Sequence, residues 1–294
     1  MTRKAWQIIL ADLLIASVLL IGFVWQKEQV APVLRLVDSA NQWRVVFLDV
    51  GQGDAVYMRT PDNLDVLVDG GPDDMISKKI SQYLPFGDQK IDLLILTHPH
   101  ADHVTGLVEL INKYQIERIM MTGVLHMAPD YLAFLAAVNK QKIPVTIING
   151  TSSNMFGKYL QLDILWPKAS FAGERLDNLN NSSIVTKWTY VSSTLLMTGD
   201  FEQEEKLIND NVMAQVYKVG HHGSSNANSK DFLNLVKPQI AVILVGKNNT
   251  YGHPHYRTLY YLQQLGTKIY RTDELGDVVL VGNVKGFEVV NLVN

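Results

Sequence analysis

The chain has 294 residues, and its 26 Lys and Arg against 29 Asp and Glu give a formal net charge of −3 at pH 7. This balance excludes a polybasic nucleic-acid module, because strong phosphate binding through protein charge alone needs a basic surface. The apolar fraction of 47% excludes a wholly disordered chain. With no cysteine there are no disulfides or thiolate ligands, so any metal site must use histidine and carboxylate.

The first predicted element is an apolar run of 18 residues at 8–25, whose single charged residue is Asp12. Its length is at the short end of the roughly 17–25 residues that cross a bilayer, and a tryptophan stands at each end. Arg3 and Lys4 before it favour a cytoplasmic N-terminus. We predict a single-pass anchor within residues 1–26 of the cytoplasmic membrane, with the remainder on the extracytoplasmic side. A cleaved signal peptide and a buried or interfacial helix are the alternatives.

Residues 27–42 resemble a linker, and we predict one domain over 43–294. Its pattern is β-rich, then alternating strands and helices, then β-rich and alternating again, which favours two packed sheets with helices outside. The predicted strands are 43–49, 54–60, 64–71, 92–97, 116–122, 142–149, 159–167, 183–191, 193–200, 214–220, 239–246, 267–272, 278–282 and 287–293. The predicted helices are 103–114, 131–142, 201–210, 231–236 and 256–266.

Seven of the eight histidines fall into three tight groups, and the sharpest group directly follows the predicted strand 92–97. His98 and His100, two residues apart in the loop, can hold one cation. Asp102 and His103, on the first turn of the next helix, can face a second. Imidazole and carboxylate suit zinc, iron or manganese, although Asp102 alone would also serve as a helix cap.

Three further groups also follow predicted strands. Asp200 ends the run Thr-Gly-Asp, His221 and His222 lie in Gly-His-His-Gly-Ser, and His253 lies in Tyr-Gly-His-Pro-His. A strand-end aspartate can bridge two cations, although a lone Thr-Gly-Asp is more often a turn. Because all four groups lie where a strand ends, we expect one site at one edge of the sheets.

The series H-x-H-x-D-H, T-G-D and a late G-H-P resembles the metallo-β-lactamase fold superfamily. The runs F-L-D-V-G-Q-G-D at 47–54, V-G-H-H-G-S at 219–224 and Y-G-H-P at 251–254 resemble more narrowly the C-terminal hydrolase domain of the ComEC family of DNA-uptake proteins. The resemblance covers roughly residues 43–285. It implies a four-layer αββα sandwich and two divalent metal ions, zinc or manganese.

The resemblance also implies roles for particular residues. It implies six metal ligands: His98 and His100 for the first ion, Asp102, His103 and His253 for the second, and Asp200 as the bridge. Asp102, His221 and His222 would act in catalysis, with His222 either a ligand or a donor to a developing oxyanion. Asp69 would orient the first histidines. Gln52 and Asp54 would line the cavity, although a role in turn formation suits them equally.

The sequence departs from this resemblance in two respects. Many superfamily members have a further histidine where this chain reads Asn-Asn-Ser-Ser at 180–183. The first ion would then be held by His98, His100 and Asp200 alone, or would also receive His221 or His222. In addition, ComEC proteins cross the membrane many times and this chain has one predicted anchor, so DNA translocation is not implied.

The resulting hypothesis is a membrane-anchored phosphodiesterase or nuclease that acts on DNA. A water shared by two cations would lose its proton near neutral pH and attack the phosphodiester in line. The substrate would be a nucleic acid or another phosphodiester, and the N-terminal helix would attach the chain to the membrane. The alternatives are a lactam or ester hydrolase of the same fold and a non-catalytic anchored binding module.

Overall fold

In the computed structural model, which describes residues 42–292, two large mixed sheets carry 15 strands. The predicted anchor at 1–26 and all but the last residue of the predicted linker at 27–42 lie outside the described residues. Among the described residues, no helix is both long and apolar enough to span a bilayer.

The first sheet has eight strands, in the spatial order β17 (Gly286–Leu292), β16 (Val278–Asn283), β1 (Trp43–Phe47), β2 (Val56–Arg59), β3 (Asp65–Val68), β5 (Leu93–Ile95), β7 (Ile119–Met121) and β8 (Val145–Ile147). The second has seven, in the order β15 (Lys268–Arg271), β14 (Ile240–Ile243), β13 (Val216–Lys218), β12 (Ser193–Met197), β11 (Val185–Tyr190), β10 (Leu160–Trp166) and β9 (Ser152–Phe156). A small two-stranded sheet pairs β4 (Lys90–Ile91) with β6 (Gln115–Ile116).

Within residues 42–292, six α-helices accompany the sheets: α1 (Met75–Ile80), α2 (Ala101–Lys113), α3 (Pro129–Gln141), α4 (Lys230–Val236), α5 (Tyr256–Gln264) and α6 (Thr272–Leu275). One apolar core lies between the two sheets and joins Phe47 of the first to Trp188 of the second. A second core packs α1 to α3 on the first sheet, and a third packs α4 and α5 on the second sheet. The layers are therefore helix, sheet, sheet, helix, as the resemblance implies.

Strand β1 shows why the sequence forms such a sandwich. All five of its residues are buried. Val45 and Phe47 enter the core between the sheets, whereas Val46 enters the core beneath the helices. A strand covered on both faces is largely apolar without alternation, and residues 45–48 show this pattern.

Strand direction brings the loops of both sheets to one edge. In the first sheet β3, β5, β7 and β8 are parallel, and in the second β12 to β15 are parallel. Hydrogen bonds join the sheets at this edge, with Ile184 N donating to Thr97 O at 3.1 Å and Gly246 N to the Gln52 side chain at 3.0 Å. The loops at the carboxyl ends of β5, β12, β13 and β14 therefore meet.

One predicted element is wrong, and several short elements of the structure were not predicted. The polar helix predicted at 201–210 is wrong, because the chain forms only a 3₁₀ turn at Glu204–Leu207. The Glu204 carboxylate is buried and accepts the backbone N–H groups of Asn228 and Ser229 at 2.5 and 2.8 Å, so contacts with another loop fix this segment. Strand β9 and helix α1 were not predicted, since β9 is mostly exposed and α1 has only six residues.

Candidate metal centre

The contiguous run from His98 to His103 begins in the loop after β5 and ends in the first turn of α2. His98 and His103 are buried, His100 is half-buried, and the side chain of Asp102 keeps 33% of its exposure. Helix α2 begins at Ala101, two residues before the predicted start, so Asp102 and His103 occupy its first turn as expected. His98 Nε2 lies 3.0 Å from His100 Nδ1, which brings the two loop histidines together.

Close backbone contacts fix the start of α2 against the loops of the first sheet. A Cβ atom on Gly106 would lie 2.1 Å from Gly70 O, and one on Gly53 would lie 2.3 Å from Asp102 O. Glycine at both positions therefore lets the backbones touch. The N–H of Asp54 donates to Asp102 O at 3.1 Å, which ties the loop before β2 to the helix start.

The buried Asp69 carboxylate braces this first group of ligands. It accepts Thr97 N at 2.8 Å, the Thr97 hydroxyl at 2.7 Å and His103 Nδ1 at 2.8 Å. The Thr97 oxygen in turn lies 3.1 Å from His98 Nδ1. Because the Thr97 hydroxyl donates to Asp69, it accepts from His98. Asp69 thus contacts His103 directly and reaches His98 through Thr97, and both rings direct Nε2 into the site.

The histidines after β13 are held in the same way by different partners. His222 Nδ1 lies 2.9 Å from Leu244 O, and a carbonyl only accepts, so Nδ1 carries the proton. His221 Nδ1 lies 2.9 Å from the Glu202 carboxylate. Both residues have left-handed backbone angles, with φ of 47° and 51°. Glu202 was not predicted from the sequence, where its only signal is its place two residues after Asp200.

Asp200 is the point at which the two groups meet. Its Oδ2 atom lies 3.3 Å from His103 Nε2, 3.6 Å from His222 Nε2 and 3.7 Å from His221 Nε2. His98 Nε2 lies 3.9 Å away. Four imidazole nitrogens thus surround one carboxylate oxygen, which is the arrangement that a bridging ligand would require.

A tight set of four side chains stands out within this arrangement. The ligand atoms of Asp102, His103, Asp200 and His222 all lie within 4.8 Å of one another, and His222 Nε2 is 3.1 Å from Asp102 Oδ2. We call these four the ligand cluster. His253, which the resemblance assigns to the second ion, lies outside it, with ring centroids 5.6 Å from His221 and 6.5 Å from His222.

Electrostatics indicate that the ligand cluster suits a cation. Burial disfavours charge on both His103 and His222, yet nearby carboxylates, Asp200 foremost, raise the pKa of His103 well above its ordinary value and that of His222 to about 10. Burial opposes ionisation of Asp200 too, but His103 and His222 keep its pKa well below its ordinary value. The positive charge of the two protonated imidazoles balances the negative charge of the carboxylates here. Divalent cations can supply that positive charge in place of the protons.

The chemistry of the side chains also suits a divalent cation. Imidazole and carboxylate are the ligands of zinc, manganese and iron, and four Nε2 atoms converge with their Nδ1 atoms already occupied. Within the described part of the chain, the buried Oδ1 of Asp200 has no hydrogen-bond partner. An ion would satisfy that atom, so the residues fit divalent metal ions.

Lys218 is a charged residue of this site that the sequence analysis did not assign. It is 2% exposed, and its Nζ atom pairs with the Asp54 carboxylate. Nζ also donates to Gly199 O at 3.2 Å and lies 3.9 Å from Asp200 Oδ1. Burial opposes its charge, but Asp54 and Asp200 raise its pKa. In the sequence, the feature that could have indicated Lys218 is one lysine at the otherwise apolar end of a buried strand.

The ligand cluster opens into a hollow of about 600 Å³. Its lining comes from both sheets: Gln52, Pro72, His100, Ala101, Asp102, Asn180, Asp200, His221, His222, Tyr251 and His253. Gln52 therefore lines the cavity as predicted, whereas Asp54 lies beneath it and is 3% exposed. Asn180, from the segment that lacks the expected histidine, forms part of the wall and donates to Glu202 at 3.2 Å.

This fold and this convergence of histidine and carboxylate define a metallo-hydrolase. The sequence model of the metallo-beta-lactamase superfamily matches residues 48–247, so the chain belongs to that superfamily. The match contains the contiguous histidine run, Asp200, His221 and His222.

Relatives and solved structures agree with this assignment. The chain is 28% identical over 260 residues to ComE operon protein 3 of Bacillus subtilis, covering 81% of this chain and 33% of that protein. It is 28% identical over 267 residues to Competence protein ComA of Neisseria gonorrhoeae, covering 89% and 34%. The chain thus spans about a third of the length of these relatives.

Among solved structures, the metallo-beta-lactamase fold protein YhfI of Bacillus subtilis superposes with a TM-score of 0.56 at 13% identity. The superposition covers 82% of this chain and 100% of that protein. At this identity the likeness shows the fold alone. The chain is therefore a metallo-β-lactamase superfamily hydrolase homologous to competence proteins.

Proposed function

We propose that this chain is a metal-dependent phosphodiesterase that cleaves DNA. The observation that carries the proposal is the ligand cluster at the floor of an open hollow, with Asp200 Oδ2 within 4 Å of four imidazole nitrogens. The homology to a competence protein favours DNA as the polymer. The chain covers only part of that relative, so the activity is assigned to this domain alone.

The charge of the site supports an anionic substrate. The carboxylates of Asp54, Asp69, Asp102, Asp200 and Glu202 and the ammonium of Lys218 leave the site with four formal negative charges when the imidazoles are neutral. Two divalent cations would cancel this charge. The bound ions would then offer a phosphodiester two positive centres even though the whole chain is acidic.

The residues divide the work as follows. His98, His100 and Asp200 would hold a first ion, and Asp102, His103 and His222 a second, with Asp200 shared. When bound, the ions would supply the Lewis acidity that phosphodiester hydrolysis needs. Asp69 and Thr97 hold the rings of the first group in place.

His221 and His253 line the hollow in which the substrate would bind. His221 is oriented by Glu202 and can donate to a phosphate oxygen or support the first ion. Burial and the neighbouring His221 and His222 lower the pKa of His253 to about 4, so its ring is neutral at pH 7. A neutral imidazole at this position can accept a proton or bind an ion.

We also propose that residues 1–26 anchor the chain in the cytoplasmic membrane with the hydrolase domain on the extracytoplasmic side. The support is the apolar run at 8–25 with Arg3 and Lys4 before it. Fractionation should place the chain with membranes, and removing residues 1–26 should release it. Recovery of the intact chain in the soluble fraction would contradict the anchor.

The decisive experiment strips the purified full chain of metal and then restores zinc or manganese. We expect cleavage of single-stranded DNA and of bis-p-nitrophenyl phosphate to disappear with the chelator and return with one of the two ions. Cleavage that survives complete metal removal would contradict the proposal. Turnover of nitrocefin with none of either phosphodiester would assign the site to lactam hydrolysis instead.

A further inference from the structure

One aromatic side chain at the mouth of the hollow has no role in holding metal. Tyr251 is 70% exposed, and it lines the same hollow as Asp102 and Asp200. Its ring lies nearly parallel to that of His253, with an interplanar angle of 17° and a centroid separation of 6.0 Å. His253 stands in turn 6.5 Å from His222 of the ligand cluster. Tyr251 is thus an exposed ring in the wall of the hollow, and His253 is the ring between it and His222 of the ligand cluster.

The loop that carries Tyr251 is braced by a single side chain. The Asn249 amide donates to Gly246 O at 3.1 Å and to His253 O at 2.7 Å. Its oxygen accepts Tyr251 N at 3.2 Å and His253 N at 3.0 Å. The Asn249 amide thus closes the loop on both sides of Tyr251, and Gly246 is tied to Gln52 of the other sheet.

Single exposed aromatic residues are common on protein surfaces, and exposure by itself indicates no site. Tyr256 is 76% exposed, yet it does not line the hollow. Tyr251 differs because Asn249 holds its backbone, its ring lies nearly parallel to that of His253, and it lines the same hollow as three members of the ligand cluster. A rigid aromatic platform of this kind stacks planar ligands at little entropic cost.

We propose that Tyr251 forms a nucleobase-stacking subsite that holds a base of an unpaired strand while the neighbouring phosphodiester lies on the ligand cluster. This inference rests on the proposed phosphodiesterase function and names its substrate class as single-stranded nucleic acid. Every base has a π-face, so the subsite recognises unpaired bases without reading sequence. Bases inside a duplex are already stacked on each other and do not offer that face.

The test compares two single-stranded oligonucleotides of equal length, one with ordinary bases and one with an abasic backbone around the cleavage position. With the full chain, Y251A should raise KM for the base-bearing strand about five- to one-hundred-fold and leave kcat nearly unchanged. The abasic strand should show the same KM with Y251A as with the wild type. Y251W should retain the wild-type KM, and Y256A is the matched control for loss of an exposed tyrosine.

Anisotropy with fluorescently labelled strands separates the two proposals. If Y251A loses affinity for the base-bearing strand alone while the wild type cleaves no phosphodiester, the subsite stands and the proposed reaction fails. If the wild type cleaves both strands and Y251A alters neither, or impairs both equally, the stacking subsite is overturned and the phosphodiesterase stands. Equal impairment would mean that Tyr251 acts only by supporting His253.

Discussion

The two halves of the domain supply the site in different ways. The first half contributes His98, His100, Asp102 and His103 from one continuous run between β5 and α2. The second half contributes Asp200, His221, His222 and His253 from the separate loops that follow β12, β13 and β14. One group is assembled by a short stretch of chain, and the other only by the order of strands in a sheet.

The braces of the two halves differ accordingly. A single carboxylate, Asp69, reaches two rings of the first group, one of them through Thr97. In the second half Glu202 contacts His221, a backbone carbonyl contacts His222 and Lys218 lies beside Asp200. His253 Nδ1 has no hydrogen-bond partner among the described residues. The first group should therefore respond to mutation as a unit, whereas members of the second should be separable.

The largest expected effect comes from breaking the contact between the halves. D200N keeps the shape of the side chain but removes the charge that faces four imidazole nitrogens. We expect phosphodiester cleavage to fall by more than about 100-fold, which exceeds the loss typical of residues that only orient ligands. Elemental analysis should show less bound metal. D231N, at an exposed position on α4, is the matched control. Full metal content and full activity in D200N would contradict the proposal that Asp200 is shared by the two ions.

A second pair of variants sharpens the ranking within the second half. His222 belongs to the ligand cluster and His253 does not, so H222A should reduce metal affinity about 100-fold and H253A by about tenfold or less. Chelator competition measures both. The reverse order would favour the ligand set implied by the family resemblance over the one that the structure places together.

The brace of the second half can be removed without touching a ligand. K218M keeps the length of the side chain but leaves the buried Asp54 carboxylate without its partner. Removing one member of a buried ion pair costs about 3–5 kcal/mol of stability. Metal affinity should also fall roughly tenfold, because Gly199 and Asp200 lose their neighbour.

Denaturant unfolding and metal titration measure the two effects of K218M. K187M serves as the control, since Lys187 is also buried but donates to Asn211 O away from the site. If K218M and K187M alter metal affinity equally, Lys218 has only a general structural role.

The two halves should also share a dependence of metal binding on pH. In the metal-free chain the pKa of His222 is raised to about 10 and that of His103 lies well above its ordinary value. Both rings are therefore in the cationic imidazolium form at neutral pH. A metal ion must displace those protons, and affinity should rise about tenfold per pH unit for each proton released. Calorimetry in buffers of different ionisation enthalpy counts the protons. An affinity that is unchanged between about pH 6 and about pH 8 would contradict this coupling.

Much of the domain was predictable because its strands are short, apolar and covered on both faces. The runs that became β1, β5, β12, β13 and β14 were all predicted, and the histidine and aspartate groups lie in the segments that follow β5, β12, β13 and β14. The polar segment at 201–210 was misread as a helix because its periodicity does not reveal that Glu204 turns inward to cap another loop. Tertiary contacts outweighed local propensity there.

The sequence by itself determined the superfamily, the two-sheet architecture and the position of the group from His98 to His103, because a strand followed at once by a helix leaves a six-residue run little choice of position. Only the tertiary structure decided that His222 rather than His253 joins the ligand cluster, and that Lys218 lies beneath Asp200. Those contacts depend on which strands are neighbours and on left-handed turns at His221 and His222. Residues more than 100 positions apart meet there, and spacing along a chain carries no information about such distances.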